Sequence, residues 1–286
     1  MSQKEKEWDL IIAPDRPMFN LDIKSVLKYK DLLILFVKRD FAAQYKQTIL
    51  GPLWFFLQPI LTTITFTVVF GNIANLPTSG YPKVLFYLSG ITIWNYFSEC
   101  LTKTSNTFIA NANLFSKVYF PRIIVPLSVI VSNLVRSSIQ ILLLIIFMIY
   151  YNITGLSVIP NVYILLFPFL FLLMAGLGLG FGILISSVTT KYRDFQFLVA
   201  FSVSLLMYLS PVIFPLQSIT NATLKKLIMA NPMSSVIETF RYGLLGSSQE
   251  FNLWGPLLYT TVFTAVVLLI SMSLFNRVQK SFMDTV

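Results

Sequence analysis

Hydrophobic residues in this chain form long uninterrupted runs, and short polar segments separate them. A helix needs about 20 apolar residues to cross roughly 30 Å of hydrocarbon. Six segments meet that length: residues 50–70, 84–103, 123–150, 161–187, 197–215 and 255–275. A closed β-barrel would instead show shorter strands of alternating polarity. The pattern predicts an all-α polytopic membrane protein, with six transmembrane helices in a domain that spans residues 49–286.

Lysine and arginine are distributed unevenly between the two predicted sides of the membrane. With the N-terminus inside, the inner segments carry sixteen of these residues and the outer segments carry four, while Arg136 lies within a span. Because basic loops are retained on the cytoplasmic side, both termini are predicted to be cytoplasmic. Residues 1–20 contain no apolar signal region and are expected to form a cytoplasmic arm.

Residues 21–48 carry an apolar stripe beside a basic face, for example Leu27 and Leu35 beside Lys24 and Lys28. This arrangement predicts an amphipathic interface helix that lies among the inner lipid headgroups. A soluble helix packed on another cytoplasmic element is the alternative. Directly after this helix, a Gly-Pro pair at residues 51–52 is expected to redirect the chain into the first span.

A second irregular segment, residues 216–250, lies on the predicted outer side between spans five and six. Two half-apolar stretches flank Asn231 and Pro232, and each is too short to cross a membrane. A re-entrant helix pair fits this pattern, provided that protein or a water-filled cavity covers its backbone. An amphipathic surface hairpin is the alternative.

Composition supports the membrane class and excludes several kinds of site. Only 12% of the residues are charged and 56% are hydrophobic, whereas a soluble domain carries about 25% charged residues. The net charge of +9 does not indicate a nucleic-acid partner, because the basic residues lie in short segments between apolar runs. With one cysteine, Cys100, and no histidine, the chain has no internal disulfide, Cys-based metal cluster or imidazole ligand.

The glycine-rich stretch "GLGLGFG" at 176–182 lies in the middle of a predicted span. It lacks the Gly-Lys-Ser/Thr ending of a phosphate-binding loop. Gly176 with Gly180, and Gly178 with Gly182, instead form two interleaved faces of small residues. These faces predict close helix packing rather than nucleotide binding.

Arg136 is the one basic residue deep inside a predicted span. A charge there costs about 2.5–3.5 kcal/mol on insertion scales, so a polar partner or pathway is expected. Snorkelling to the outer surface or bonding to helix carbonyls is the alternative. Glu99 is predicted to lie too far toward the inner side to pair with Arg136.

Aromatic residues are concentrated in the first two spans. Most are expected to face lipid or the interface, but a minority could line a conduit, where ring faces suit sugars. The candidates for a substrate channel are Phe55, Phe66, Tyr87, Trp94, Tyr96 and Arg136. No catalytic residues are predicted, because the spans contain no close pair of acids and no nucleophile–base set.

Five motifs in order carry a family resemblance. They are "RDFAAQYKQTILGPLWFFLQP" (39–59), "FSKVYFPRIIVPLS" (115–128), "KYRDFQF" (191–197), "LSPVIFP" (209–215) and "NPMSSVIETFRYGLLG" (231–246). Together they resemble the membrane (permease) subunit of bacterial polysaccharide-exporting ABC transporters, which carry O-antigen, teichoic acid or capsule chains. The resemblance covers nearly the whole chain.

The resemblance implies a homodimer in the bacterial inner membrane that pairs with two copies of a cytoplasmic ABC ATPase. ATP and Mg would be bound by that partner, with no cofactor in this chain, and hydrolysis would export a lipid-linked glycan. An ABC exporter of a drug or lipid with the same fold is the alternative. A membrane-embedded glycan or lipid enzyme, or an ion-coupled transporter, is a third interpretation.

The resemblance also assigns roles to particular positions. Residues 21–48 match the interface helix, and residues 216–250 match an outer gate. The residues assigned to ATPase coupling are Asn113, Phe115, Lys117, Tyr119, Lys191, Arg193 and Asp194. Those assigned to the outer gate are Asn231, Pro232, Glu238 and Arg241. Aromatic residues of the first inner loop suit a groove on a soluble partner, and packing of this loop against the chain's own bundle is the alternative.

Overall fold

The computed structural model describes residues 23–46, 48–115, 117–118, 120–156, 158–189, 194–246 and 253–281. All regular elements of these residues are helical. In chain order they are α1 (Ile23–Lys28), α2 (Lys30–Tyr45), α3 (Trp54–Phe66), α4 (Lys83–Ser105), α5 (Thr107–Ala110), α6 (Ala112–Phe115), α7 (Ile124–Ile153), α8 (Phe167–Thr189), α9 (Phe195–Tyr208), α10 (Ala222–Ala230), α11 (Pro232–Leu245) and α12 (Trp254–Ser281).

Short non-α turns extend two of the long helices. A 3₁₀ turn precedes α3 and a π-helical segment, Thr67–Ile73, continues it, while a 3₁₀ turn at Val162–Leu166 leads into α8. With these extensions, four helices are long and apolar enough to cross a membrane: Gly51–Ile73, Ile124–Ile153, Val162–Thr189 and Trp254–Phe275. The predicted limits of these four spans agree with the structure to within a few residues.

The other two predicted spans have a different character. Helix α4 has 23 residues, but it carries charged side chains and is less apolar than the four long helices. Helix α9 has 14 residues and ends at Tyr208, well before the predicted limit of 215. Pro211 and Pro215 follow it, and proline can neither donate a helical hydrogen bond nor fit inside a helix without a kink.

Helix α4 is the centre of the molecule, since it packs against α3, α7, α8, α9 and α11. Its contact with α8 is close because α8 presents glycine there. A Cβ added at Gly178 would lie 2.6 Å from Cys100 Cβ, and one at Gly182 would lie 2.5 Å from Thr104 Cβ. The predicted small-residue face of Gly178 and Gly182 therefore packs on α4.

The other small-residue face of α8, formed by Gly176 and Gly180, packs on α12. A Cβ at Gly176 would lie 2.8 Å from a methyl group of Thr264, and one at Gly180 would lie 2.7 Å from Val267. Both predicted faces are thus confirmed as packing surfaces. Helix α8 lies between α4 and α12 and packs closely on both.

The N-terminal helices lie against the N-terminal end of α7. Phe36 of α2 is buried and meets the ring of Phe120 edge-on at 5.7 Å. Leu27 and Leu35 are exposed, so the helices keep an apolar surface outside their contact with the bundle. Gly51 then adopts φ +49°, a left-handed conformation that suits glycine, and this residue redirects the chain into α3.

Candidate functional site

A cluster of charged side chains lies between α4 and α7. Glu99 Oε2 accepts hydrogen bonds from Arg136 Nη1 at 2.7 Å and from Lys103 Nζ at 2.7 Å. Lys103 Nζ also donates to Asn133 Oδ1 at 3.2 Å. The guanidinium carbon of Arg136 lies 5.8 Å from the ring centre of Phe55 on α3. These residues, here called the α4–α7 cluster, join three helices.

The ion pair shows that the predicted separation of Glu99 from Arg136 was wrong. Arg136 lies twelve residues from the start of α7 at Ile124, and Glu99 lies six residues before the end of α4 at Ser105. These separations correspond to about 18 Å and about 9 Å of helix rise. The two charges nevertheless meet, and Ile124 at the start of α7 packs in one cluster with Phe108 of α5.

The α4–α7 cluster has an excess positive charge, because one carboxylate faces two cations. The side chain of Arg136 is 9% exposed, whereas those of Glu99 and Lys103 are each 36% exposed. Among the described residues, Arg136 Nε and the hydroxyl groups of Ser132 and Ser137 are buried without a hydrogen-bond partner. The cluster therefore combines a buried cation with two charged groups that are open on one side.

Two members of this cluster were not selected from the sequence. Lys103 was counted only as a basic residue of an inner segment, although its spacing of four from Glu99 is that of a helical ion pair. Asn133 lies one helical turn before Arg136, and its side-chain amide also donates to Cys100 Sγ at 3.6 Å. The helix spacing could have indicated both residues.

The predicted channel aromatics divide into two groups. Tyr87, Trp94 and Tyr96 on α4 and Phe66 on α3 are buried in the core of this chain. Phe55 is partly exposed and lies beside Arg136. The four buried rings pack against the chain's own helices, for example Tyr96 against Phe171 at 5.2 Å. Of the predicted channel residues, Phe55 and Arg136 therefore lie next to each other.

The segment between α4 and α7, the predicted first inner loop, packs the rings of Phe115 and Phe120 against neighbouring rings of the chain. Phe115 is buried, with its ring centre 5.9 Å from Phe108 and 5.7 Å from Phe120. The sequence analysis gave packing of this loop against the chain's own bundle as the alternative to contact with a soluble partner. The buried ring of Phe115 agrees with that alternative. Asn113 and Lys117 are exposed on the same loop.

The segment between α8 and α9, the predicted second inner loop, is described only in part. Asp194 is exposed and directly precedes α9. Three residues predicted to contact an ATPase, Tyr119 of the first loop and Lys191 and Arg193 of the second, lie outside the described residues.

A second charged pair lies at the predicted outer gate and is enclosed by protein. Glu238 Oε1 is 3.3 Å from Arg241 Nη1, and both residues are on α11. The guanidinium also donates to the carbonyl oxygens of Pro211 at 2.9 Å, Val212 at 3.2 Å and Phe86 at 3.4 Å. This α11 pair therefore ties α11 to α4 and to the turn after α9.

Asn231 and Pro232 form the corner between α10 and α11. Asn231 Oδ1 accepts a hydrogen bond from the backbone N–H of Met233 at 3.0 Å and so caps α11, with Pro232 at the first helical position. Its Nδ2 donates to Ser210 Oγ at 2.9 Å. All four predicted gate residues thus lie on one helix and its cap, facing the turn that follows α9.

Helices of membrane-crossing length, with charged side chains buried among their neighbours, define a multi-pass membrane protein. Residues 31–245 match the family model described as "ABC-2 type transporter". This range includes the α4–α7 cluster and the α11 pair. The chain belongs to this family of transporter membrane proteins.

Three relatives match over most of their length. "O-antigen export system permease protein RfbA" of Myxococcus xanthus is 25% identical over 265 residues, which is 92% of this chain and 98% of that protein. A protein of the same name from Klebsiella pneumoniae is 24% identical and covers 89% and 94%. "Polysialic acid transport protein KpsM" of Escherichia coli is 25% identical and covers 86% and 93%.

Proposed function

We propose that this chain is the permease subunit of an ABC transporter that exports a polysaccharide of the O-antigen or teichoic-acid type. The observation that carries the proposal is the end-to-end match with permeases named for O-antigen export. The polysialic acid transport protein matches over a similar range, which supports a polysaccharide cargo more broadly. We further propose that the glycan is lipid-linked and that it crosses the bacterial inner membrane.

The proposed topology has six spans and two cytoplasmic termini. Helices α4 and α9 supply the two spans that are shorter or less apolar than the other four. Helix α4 is surrounded by other helices, so its charged residues need not face lipid. Helices α10 and α11 then lie on the outer side, where α11 is buried and α10 is exposed.

The proposed polar element of the export route is the α4–α7 cluster. A net positive charge inside a membrane protein is costly, and such residues face a bundle interior or a water-filled path. Glu99 and Lys103 are partly exposed beside the buried Arg136. We place this open side toward the path formed by two copies of the chain, with Phe55 as the neighbouring ring surface.

Coupling to a separate ATPase would use the outward side of the first inner loop. The buried Phe115 holds the loop against Phe108 and Phe120, and Lys117 and Val118 are presented outward. Replacing Lys117 with Glu should therefore weaken co-purification of the ATPase without loss of folded permease. The matched control is Lys226→Glu, because Lys226 is on α10 at the opposite end of the molecule in the proposed topology.

Complementation of a deletion strain tests the proposed function. Surface polysaccharide and intracellular lipid-linked polymer are measured in cells with and without the gene. The proposal expects loss of surface glycan with polymer accumulating inside, and recovery of surface glycan when the gene is returned. Unchanged surface glycan in a strain with no second exporter would contradict it.

A further inference from the structure

The helices around the α4–α7 cluster do not balance its positive charge. Glu99 is the single acidic residue in α3, α4 and α7, and Arg136 and Lys103 share it. Helices α8 and α9, which also contact α4, contain no charged residue. Helix α2 contacts α7 but carries three basic and two acidic residues. The cluster therefore keeps one positive charge in excess.

Lys103 is the cation on the open side of the cluster. Its Nζ donates to Glu99 Oε2 at 2.7 Å and to Asn133 Oδ1 at 3.2 Å. An ammonium group has three N–H donors, so these two bonds leave one donor for a further acceptor. The side chain of Lys103 is 36% exposed, whereas that of Arg136 is 9% exposed. A ligand that approaches the cluster therefore meets Lys103 before Arg136.

Further donors lie on the side of α7 that carries Arg136. Ser132 lies four residues before Arg136. Ser137 lies four residues after Asn133, which is itself three residues before Arg136, so these side chains share one side of the helix. In the described part of the chain, both serine hydroxyl groups and Arg136 Nε are buried without a hydrogen-bond partner. All three groups can donate, and α7 contains no acidic residue.

Surplus positive charge together with N–H and O–H donors suits a phosphate ester. A sugar hydroxyl group is uncharged and would leave the surplus charge of the cluster unbalanced. A phosphate ester carries negative charge and has several oxygens that accept hydrogen bonds, and its bonds to lysine and arginine are strengthened by charge. The chemistry of the cluster therefore favours phosphate over a neutral sugar.

The proposed topology places Lys103 near the phosphate groups of the inner leaflet. Lys103 lies two residues before the end of α4 at Ser105, which is about 3 Å of helix rise. Helix α4 has 23 residues, so it is about 34 Å long and only slightly exceeds a hydrocarbon core of about 30 Å. The end of α4 that carries Lys103 therefore reaches the headgroup level.

We propose that the α4–α7 cluster binds a phosphate ester of a membrane lipid, with Lys103 as the exposed contact and Arg136 as the buried charge. For the source of this phosphate the inference rests on the proposed function. The group is either the phosphate that links the exported glycan to its lipid or the headgroup phosphate of a bilayer phospholipid. Both sources present the same charge and the same acceptor oxygens to the cluster.

Binding of an alkyl phosphate to the full-length permease tests this site. The protein is purified in dodecyl maltoside, which contains no phosphate, and binding of radiolabelled dodecyl phosphate is measured by a scintillation proximity assay. Unlabelled dodecyl phosphate should displace the probe. Dodecanoate, which has fewer acceptor oxygens and less charge, should be about tenfold weaker, and dodecyl glucoside should not displace the probe. This comparison needs no variant to fold.

A matched pair of lysine substitutions locates the binding site. Lys103→Met keeps an unbranched side chain but removes its charge, so Arg136 and Glu99 remain as a neutral pair. The dissociation constant for dodecyl phosphate should rise by about tenfold or more, as expected for the loss of a charged hydrogen bond. Lys103→Arg should retain most of the binding. Lys226→Met removes the same charge from the exposed α10 and should bind as the wild type does.

Two competitors distinguish the sources of the phosphate. Displacement of the probe by phosphatidylglycerol would assign the site to a bilayer phospholipid. Displacement by a polyprenyl phosphate, with no effect of phosphatidylglycerol, would assign it to the lipid of the substrate. Both results depend on Lys103 if the inference is correct.

Three results would overturn the inference: no binding by the wild type, equal displacement by dodecanoate or dodecyl glucoside, or equal affinity of Lys103→Met and Lys226→Met. Binding is measured without export, so this inference and the proposed function fail separately. Failed complementation with binding that depends on Lys103 would reject the polysaccharide cargo and keep the phosphate site. Normal complementation without binding would reject the phosphate site alone.

Discussion

The α4–α7 cluster and the α11 pair contain the same kinds of side chain in very different surroundings. In the α11 pair, Arg241 is 3% exposed and Glu238 is 8% exposed, one anion meets one cation, and backbone carbonyls accept from both terminal nitrogens of the guanidinium. In the α4–α7 cluster, two cations share one carboxylate, and Glu99 and Lys103 are each 36% exposed. The α11 pair is buried and has no net charge, whereas the α4–α7 cluster is partly exposed and has a net positive charge.

On the basis of this difference we propose a structural role for the α11 pair and a transport role for the α4–α7 cluster. A buried ion pair that also bonds backbone carbonyls fixes the position of its helices, and removal of one partner leaves an uncompensated charge. An open cluster with excess charge has capacity left for other polar molecules. We therefore assign the α11 pair to holding the outer helices in place and the α4–α7 cluster to the export route.

The largest predicted effect is that of Arg241→Ala on folding. The substitution leaves Glu238 buried without its cation and frees three backbone carbonyls, so the free energy of unfolding should fall by about 3–5 kcal/mol. Thermal unfolding of the detergent-solubilised protein measures this. The double variant Glu238→Gln with Arg241→Met removes both charges and should recover part of the loss. Wild-type stability of Arg241→Ala would contradict the structural assignment.

Arg136→Ala should instead reduce export while folded protein accumulates. Glu99 keeps Lys103 as its partner at 2.7 Å, and the cluster becomes neutral. We expect surface polysaccharide per folded permease to fall about tenfold, equivalent to about 1.4 kcal/mol of lost stabilisation along the route. Arg136→Lys retains the charge and should restore much of the export. A parallel loss of protein and export would return Arg136 to a folding role.

Gly90→Ala tests the packing around the α11 pair without removing a charge. An added Cβ would lie 2.8 Å from Arg241 Nη2 and 3.1 Å from the carbonyl oxygen of Val212. Such crowding costs about 1–3 kcal/mol, and we expect it as a lower unfolding temperature. Gly255→Ala is the matched control, since an added Cβ there has nothing within 4 Å. Equal stability of the two variants would show that the space around Arg241 is not tight.

The smallest effect is expected at the corner before α11. Asn231→Ala removes a helix cap, which costs about 1 kcal/mol, together with the hydrogen bond to Ser210. Asn221→Ala removes an equivalent cap from the exposed α10 and is the matched control. If the corner belongs to an outer gate, Asn231→Ala should lower export per folded permease and Asn221→Ala should not. The same export in both variants would argue against the gate.

The long helices could be predicted from the sequence because an apolar run of membrane length has few alternatives. The two glycine faces of α8 were predictable for a similar reason, since a spacing of four places small residues on one side of a helix. The relative heights of α4 and α7 were not predictable. They depend on the path of the chain through the short helices α5 and α6 that connect α4 to α7.

Burial was the other feature that sequence patterns could not resolve. Most of α4 is covered by neighbouring helices, so Trp94 and Tyr96 lie in the core although their polar tips suited a channel surface. The aromatic ring of Phe115 turns inward because Phe108 and Phe120 offer it partners. In both cases the neighbours are distant in sequence or separated by a turn, and one-dimensional spacing carries no information on them.

The most direct measurement is surface polysaccharide per folded permease in a deletion strain that carries the wild type, Arg136→Ala or Arg241→Ala. We predict that Arg136→Ala accumulates normally and exports poorly. Arg241→Ala should give little folded protein, but each surviving molecule should export at the wild-type level. If export followed the amount of folded protein in both variants, the α4–α7 cluster would have no role in transport.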